Sequence, residues 1–186
     1  MKITFIGNCQ TVTLCFYFQQ LLPHADICWL LFGPEFQASL STWSNKCKNK
    51  ILDYSKSIEH VKISDVIIYQ EVVPEKSTFC NTLTLQELKQ ESCKLIKIPS
   101  IYLDYGRYDI SIKELQTREI EKKADVLAST IFEKNRDKCL MLTVWHPNTF
   151  LFMEVMKEIC KIMDIEFFSA EQEAEYLKNN NYMGLP

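Results

Sequence analysis

The chain has 186 residues, of which 47% are hydrophobic and 24% charged, and its formal net charge is −3. This length is enough for one α/β domain with a substantial core. The acidic balance, with a pI of about 5.7, argues against a surface for nucleic acid or another polyanion.

Eight cysteines occur at irregular spacings, with no C-x-x-C pair and no clustering with histidine. This usage is typical of reduced thiols in a cytosolic protein, and it predicts neither a disulfide framework nor a zinc site. Polar residues interrupt the apolar run near the N-terminus, and no small-residue cleavage site follows it. We therefore expect a soluble, cytoplasmic protein without a signal peptide or a membrane span.

Strand-like and helix-like patterns alternate along the chain, beginning with a short apolar strand that Gly7 ends. The predicted strands are 2–6, 25–32, 65–69, 94–99, an apolar run at 139–144 that is a strand or extended, and 165–168. The predicted helices are 11–22, a weak one within 35–49, a short one opened by a capping box at Thr84, 111–138, 147–163, and a terminal one capped by Ser169.

This alternation predicts an α/β fold, a Rossmann- or flavodoxin-like three-layer sandwich with a mainly parallel sheet. We expect a single domain over 1–186, with its core in 1–168 and a C-terminal helix and tail in 169–186. Ligands in such folds bind at the C-terminal ends of the strands, near a change in strand order. The loops at 7–10, 70–74, 100–109 and 145–148 fall at such ends, so we expect them to converge on one edge.

The first of these loops places Cys9 between a strand and a helix start. Main-chain N–H groups converge there and the helix dipole favours negative charge, so we expect a stabilised thiolate, as a nucleophilic cysteine requires. The alternative is a small cysteine buried in a strand-to-helix turn. Asn8 and the main-chain N–H groups of Cys9 and Gln10 are candidate oxyanion donors.

A cysteine nucleophile needs a base, and the chain has three histidines. His24 follows a turn proline and His60 lies in a charged stretch, so both are expected to be solvated. His146 lies between an apolar run and a helix start, where it is either a general base or only the helix cap. Asp104 and Glu71 are both candidates for a carboxylate that orients this base.

Two further side chains have two interpretations each. Gln70 ends a buried strand, where its amide can donate to an oxyanion or simply bond a loop carbonyl. Arg107 is one of only three arginines in the chain and can hold a phosphate or carboxylate bidentately, or form a surface ion pair.

Blocks near the two ends of the chain resemble those of SGNH-type hydrolases. The first is G-N-C at 7–9 and the last is W-H-P-N at 145–148. Thr143 stands where those hydrolases carry the aspartate of their D-x-x-H block, so a triad of that kind is not expected.

The chain more closely resembles the WcbI-type polysaccharide biosynthesis family. The matching blocks are G-N-C-Q at 7–10, Y-Q at 69–70, P-S-I-Y-L-D at 99–104 and H-P-N at 146–148, and together they span roughly 1–163. The resemblance implies an α/β fold, binding of coenzyme A, and acetyl transfer to a capsular sugar.

The same resemblance implies roles for individual residues. Cys9 would be the nucleophile or a thiol close to CoA, His146 would be the base, and Gln10 and Gln70 would line the same pocket. The residues predicted to bind the cofactor are Tyr102, Arg107 and Asn148.

The sequence therefore predicts an enzyme that transfers an acyl group from acyl-CoA to a carbohydrate hydroxyl in surface-polysaccharide biosynthesis. Acyl-CoA is a substrate, a saccharide acceptor is the expected partner, and no metal is expected. A homo-oligomer and an association with glycosyltransferases both stay open. The alternatives are an SGNH-like esterase or thioesterase that uses water, and a non-catalytic module that binds CoA or a nucleotide.

Overall fold

The computed structural model describes residues 1–31, 54–71, 81–101, 119–143 and 146–179. The chain divides into two compact units, Met1–Ile98 and Pro99–Pro186. The single domain expected over 1–186 stays a prediction. No helix within the described ranges is both long enough and apolar enough to cross a membrane.

The first unit contains a sheet of four parallel strands in the order β2-β1-β3-β4. Its strands are rich in apolar and β-branched residues because both of their faces are buried. The strands are β1 (Lys2–Gly7), β2 (Asp26–Leu31), β3 (Val66–Tyr69) and β4 (Lys94–Lys97). The helices of this unit are α1 (Cys9–Leu21), α2 (Tyr54–Lys62) and α3 (Thr82–Leu88).

Helices cover both faces of this sheet. On one face the rings of Phe5 in β1 and Phe18 in α1 are 5.4 Å apart between centroids. On the other face Ile6 belongs to a buried cluster with Val61 of α2 and Leu85 of α3. The predicted α/β sandwich with a parallel sheet is therefore confirmed.

The strand order places a topological switch between β1 and β3. The chain leaves β1 toward β2 on one side, and then crosses back to β3 on the other side of β1. Helices that follow these strands diverge to opposite faces, which opens a crevice at the carboxyl ends of β1 and β3. The residues that follow the two strands, 8–10 and 70–71, lie at this edge.

The second unit is mainly helical. Its helices are α4 (Glu119–Lys122), α5 (Ala128–Lys134), α6 (Thr149–Met163) and α7 (Ala170–Asn179). Two short strands, β5 (Met141–Thr143) and β6 (His146–Pro147), pair antiparallel. The extended run predicted at 139–144 is thus a strand in its centre, but it pairs outside the parallel sheet.

Two predicted elements of the second unit are wrong. The helix predicted over 111–138 is interrupted after α4, because buried Glu121 accepts a hydrogen bond from the Ser129 N–H at 2.7 Å and so stabilises a new helix start. The strand predicted at 165–168 is irregular. Asp164 ends α6 with a left-handed φ of 57°, and the Phe168 ring then stacks on Tyr176 at 5.6 Å.

Two predicted capping boxes have different outcomes. At Ser169 the box is confirmed, because its hydroxyl accepts from the Gln172 N–H and the Gln172 side chain accepts from the Ser169 N–H. At Thr84 it is wrong, because α3 starts at Thr82 and Asn81 is its N-cap. Helix α2 was not predicted, and the weak helix expected within 35–49 lies outside the described residues.

Candidate functional site

The turn between β1 and α1 is closed by its own side chains. Asn8 is the N-cap of α1, and its Oδ1 accepts a hydrogen bond from the Gln10 N–H at 2.8 Å. The Thr11 hydroxyl donates to the Asn8 carbonyl at 2.7 Å. Helix α1 therefore starts two residues earlier than the sequence predicts, and Cys9 is its first residue.

Gln70 connects this turn to the end of β3. Its side chain is buried, its Oε1 accepts from the Asn8 N–H at 3.0 Å, and its Nε2 donates to Gln10 Oε1 at 3.2 Å. The structure thus brings Asn8, Gln10 and Gln70 together, as expected for two loops that end neighbouring strands. The amide of Gln70 is used in internal hydrogen bonds, which leaves its predicted oxyanion role a prediction.

Gly7 is required by the close approach of its neighbours. A Cβ atom at this position would lie 2.5 Å from Thr11 Cγ2 and 2.6 Å from Gln70 Oε1. Both distances are far below a van der Waals contact, so a side chain at residue 7 would push Gln70 away from the turn. Glycine is therefore the residue that allows the sheet edge and the helix start to meet here.

The Cys9 thiol is partly buried, and its ionisation differs from the sequence-based expectation. Burial raises the pKa of the thiol, and hydrogen bonds from the main-chain N–H groups of Cys9 and Gln10, which lower it, do not compensate. The expectation of a stabilised thiolate is therefore wrong for the resting protein. At neutral pH the thiol is protonated, and it needs a base before it can act as a nucleophile.

The candidate oxyanion donors of the turn are not equivalent. The Gln10 N–H is already bonded to Asn8 Oδ1, and the Asn8 N–H to Gln70 Oε1. The N–H of Cys9 has no intrahelical acceptor, and it interacts with the Cys9 thiol itself. The oxyanion role of these N–H groups therefore stays a prediction.

Glu71 takes part in a separate polar cluster. Its Oε2 lies 2.7 Å from the ammonium of Lys97, and its Oε1 accepts from the Thr82 hydroxyl at 2.7 Å. Partial burial acts to raise the pKa of Glu71, but the bonds from Lys97 and Thr82 together outweigh it and lower the pKa. Lys97 was not predicted as a site residue, and its signal in the sequence is a lysine that directly follows the apolar pair Leu95-Ile96.

His146 and Asn148 lie in the second unit. His146 is half-buried in β6. The N-cap of α6 is Asn148, two residues later, whose Oδ1 accepts a hydrogen bond from the Leu151 N–H at 2.9 Å. The alternative that His146 caps this helix is therefore wrong. Its role as the base for Cys9, and a cofactor contact by Asn148, stay predictions.

Three predicted site residues fall outside the described part of the chain: Tyr102, Asp104 and Arg107. Within the described part, no group of three or more histidine, cysteine, aspartate or glutamate side chains could hold a metal ion. The six cysteines located there are free thiols.

A Cys–His contact that the sequence did not predict lies inside the first unit. Cys28 Sγ is 3.0 Å from His60 Nδ1, which also lies 2.8 Å from the Thr4 hydroxyl. The expectation that His60 is solvated is wrong, since its side chain is only 11% exposed. Burial raises the pKa of Cys28 to about 12, which disfavours its thiolate.

The chain was compared with known families, curated proteins and solved structures. No family model matches it, and no curated protein matches its sequence. A matching structure is that of WcbI, described as a novel polysaccharide biosynthesis enzyme, in its native form without a disulfide bond between CoA and a cysteine. The TM-score is 0.59 at 14% identity, over 92% of this chain and 71% of that one. The predicted resemblance to the WcbI type is thus confirmed at the level of the fold.

Gly7→Ala should destabilise the protein by about 1–3 kcal/mol, because the added methyl group overlaps Thr11 and Gln70. Urea unfolding followed by circular dichroism measures this cost. A second variant, Gly7→Ala with Gln70→Ala, relieves one of the two overlaps and should lose less than the sum of the two single changes. Additive losses would mean that the turn and β3 are not coupled.

Alkylation of Cys9 by iodoacetamide should have its pH midpoint above the ordinary cysteine pKa of 9.0, because burial disfavours the thiolate. Peptide mass spectrometry over a pH series measures the rate. Cys139, an exposed thiol, is the internal control for the reagent. A midpoint below that of free cysteine would show that the helix N-terminus outweighs burial.

The stability of the protein should fall in alkaline solution through Cys28. The folded state holds this proton more tightly than the unfolded chain, so its contribution is full below the ordinary pKa of 9.0 and is lost as the pH rises toward about 12. Unfolding free energies of Cys28→Ala should therefore decline less steeply above pH 9.0 than those of the unchanged protein. Equal slopes would contradict this assignment.

Proposed function

We propose that this chain is an acyltransferase that moves an acyl group from acyl-CoA to a carbohydrate hydroxyl. The observation that carries the proposal is the position of Cys9. It is the partly exposed first residue of α1, at the carboxyl end of β1 and beside the switch between β1 and β3. Ligands of open α/β sheets bind at this place.

The structural match supports the choice of substrates. WcbI is described as a polysaccharide biosynthesis enzyme, and its native form is described as lacking a disulfide bond between CoA and a cysteine. A cysteine at the ligand-binding edge of the same fold is the natural counterpart in this chain, and Cys9 meets that condition. A thiol beside a thioester is chemically suited to acyl exchange, because one sulfur replaces another in the same type of bond.

The reaction can follow two routes. In the first, a base removes the Cys9 proton, the thiolate attacks the thioester carbon, and the carbon–sulfur bond to CoA breaks as the CoA thiol takes up a proton. The acceptor hydroxyl then loses its proton to the base and attacks the acyl-cysteine, which releases the Cys9 thiol. In the second route a base removes the hydroxyl proton, the oxygen attacks the thioester carbon directly, and CoA leaves as the thiol with that proton, while Cys9 stays unmodified.

Both routes require a general base, because the resting thiol is protonated and a sugar hydroxyl is a poor nucleophile. His146 is the proposed base. The Cys9 N–H supplies a hydrogen bond to the oxyanion of the tetrahedral intermediate. The hydrogen bonds of Gln70 hold the Asn8–Gln10 turn that positions this N–H.

Incubation with acetyl-CoA and a saccharide panel tests the proposal. CoA release should depend on the saccharide, and His146→Gln should lower the rate about 100- to 10,000-fold. His24→Gln, at an exposed position, is the matched control and should keep full activity. Intact-protein mass spectrometry separates the routes, since only the first gives an acetyl adduct that Cys9→Ala abolishes.

Two results would contradict acyl transfer to a sugar. Acyl-CoA hydrolysis that no saccharide accelerates would identify a thioesterase. Tight CoA binding without turnover, unchanged in Cys9→Ala and His146→Gln, would identify a binding module.

A further inference from the structure

Two neighbouring residues at the end of β3 hold the starts of two different helices. Gln70 bonds the turn before α1, whereas Glu71 accepts from both the N–H and the hydroxyl of Thr82, the first residue of α3, at 3.3 and 2.7 Å. The Tyr69 hydroxyl lies 2.8 Å from the same Thr82 hydroxyl. The main chain at Gln70 is therefore fixed by its neighbours on either side.

Lys97 supplies the charge that holds Glu71. It lies opposite Tyr69 in the β3–β4 register, is only 8% exposed, and places its ammonium 2.7 Å from Glu71 Oε2 and 5.9 Å from the centre of the Tyr69 ring. A nearly buried ammonium is costly unless a carboxylate pairs with it. This pairing restricts Glu71 to one position far more strictly than a surface ion pair would.

We propose that the Lys97–Glu71 ion pair is a positioning pair for the Cys9 thiol, and that it acts through Gln70. The pair fixes the direction of the chain after Tyr69, and this direction aims the Gln70 side chain at the Asn8 N–H. This positioning role depends on the proposed function in one respect: the proposed function is what gives Cys9 a part in the reaction.

Loss of the pair has a consequence that can be measured at the thiol. Without Lys97, Glu71 keeps only its hydrogen bonds from Thr82, so Gln70 is held less firmly against the turn and water reaches Cys9 more easily. Because burial is what raises the pKa of this thiol, a looser turn brings the pKa back toward its ordinary value. Alkylation of Cys9 at neutral pH then becomes faster, although the loosened site becomes a poorer catalyst.

The test compares Lys97→Met and Lys97→Arg. Lys97→Met should lower the pH midpoint of Cys9 alkylation by about half a unit, which is about a threefold faster reaction at neutral pH. Lys97→Arg keeps the charge and should restore the original profile. If acyl transfer occurs, its kcat should fall in Lys97→Met and its KM for acyl-CoA should stay unchanged.

A single change can leave Glu71 without its cation and unfold the protein, so the double variant Glu71→Gln with Lys97→Met is made as well. It removes both charges and leaves no unpaired ion, and it should show the same shift at Cys9. Val61→Ala, which thins the packing of α2 on the same sheet face, is the matched control for simple destabilisation and should not shift the profile.

The two proposals fail in different ways. An unchanged Cys9 profile in Lys97→Met and in the double variant, or an equal shift in Val61→Ala, would overturn the positioning role. The alkylation measurement needs no acyl-CoA, so the positioning role survives if acyl transfer is not found. Transfer that is fully retained in Lys97→Met with an unshifted profile would leave the acyltransferase proposal intact and refute the positioning role.

Discussion

The hydrogen bonds of the Gln70 side chain are the constraint on which the rest of the site depends. A carboxamide accepts from one group and donates to another, and Gln70 does both when it bonds the Asn8 N–H and the Gln10 side chain. A glutamate could not donate, and an alanine would remove the acceptor of the part-buried Asn8 N–H as well as the donor to Gln10. The position thus selects one residue type, and Gly7 has no side chain because Gln70 occupies that space.

The topology of the sheet explains why these residues meet. Tyr69 lies opposite Ile6 in the β1–β3 register, and the Gln70 N–H donates to the Ile6 carbonyl at 2.9 Å. The residues that follow each strand therefore lie side by side although they are about sixty positions apart in sequence. The same switch sends α1 to one face of the sheet and α3 to the other, so residues 70 and 71 can each bond a different helix start.

The sequence predicted the four parallel strands well, because strands buried on both faces are continuous apolar runs. It failed where a distant side chain decides a local structure. Glu121 accepts from the Ser129 N–H in the first turn of α5, a helix start that the local pattern does not show, and Asn81 takes the capping role expected of Thr84. Contacts such as Lys97–Glu71 cannot be read from one sequence, since their partners are brought together only by strand order.

The direction of the pKa shift of the Cys9 thiol also could not be predicted from the sequence. Its place at a helix start was predictable, and main-chain N–H groups do favour the thiolate there, but the extent of burial that opposes them depends on packing by other elements. Propensity and motif identify the residue and its element. The sign of the pKa shift comes from the three-dimensional environment.

The raised pKa of the Cys9 thiol affects its reactivity. The rates of oxidation and alkylation of a cysteine follow the fraction present as thiolate, so a thiol with a raised pKa reacts slowly in the resting protein. If Cys9 acts as the proposed nucleophile, its thiolate forms only when a base takes up the proton. In the proposed acyl transfer, the resting state of Cys9 is therefore a protonated thiol, and the thiolate that attacks has to be generated by a base during the reaction.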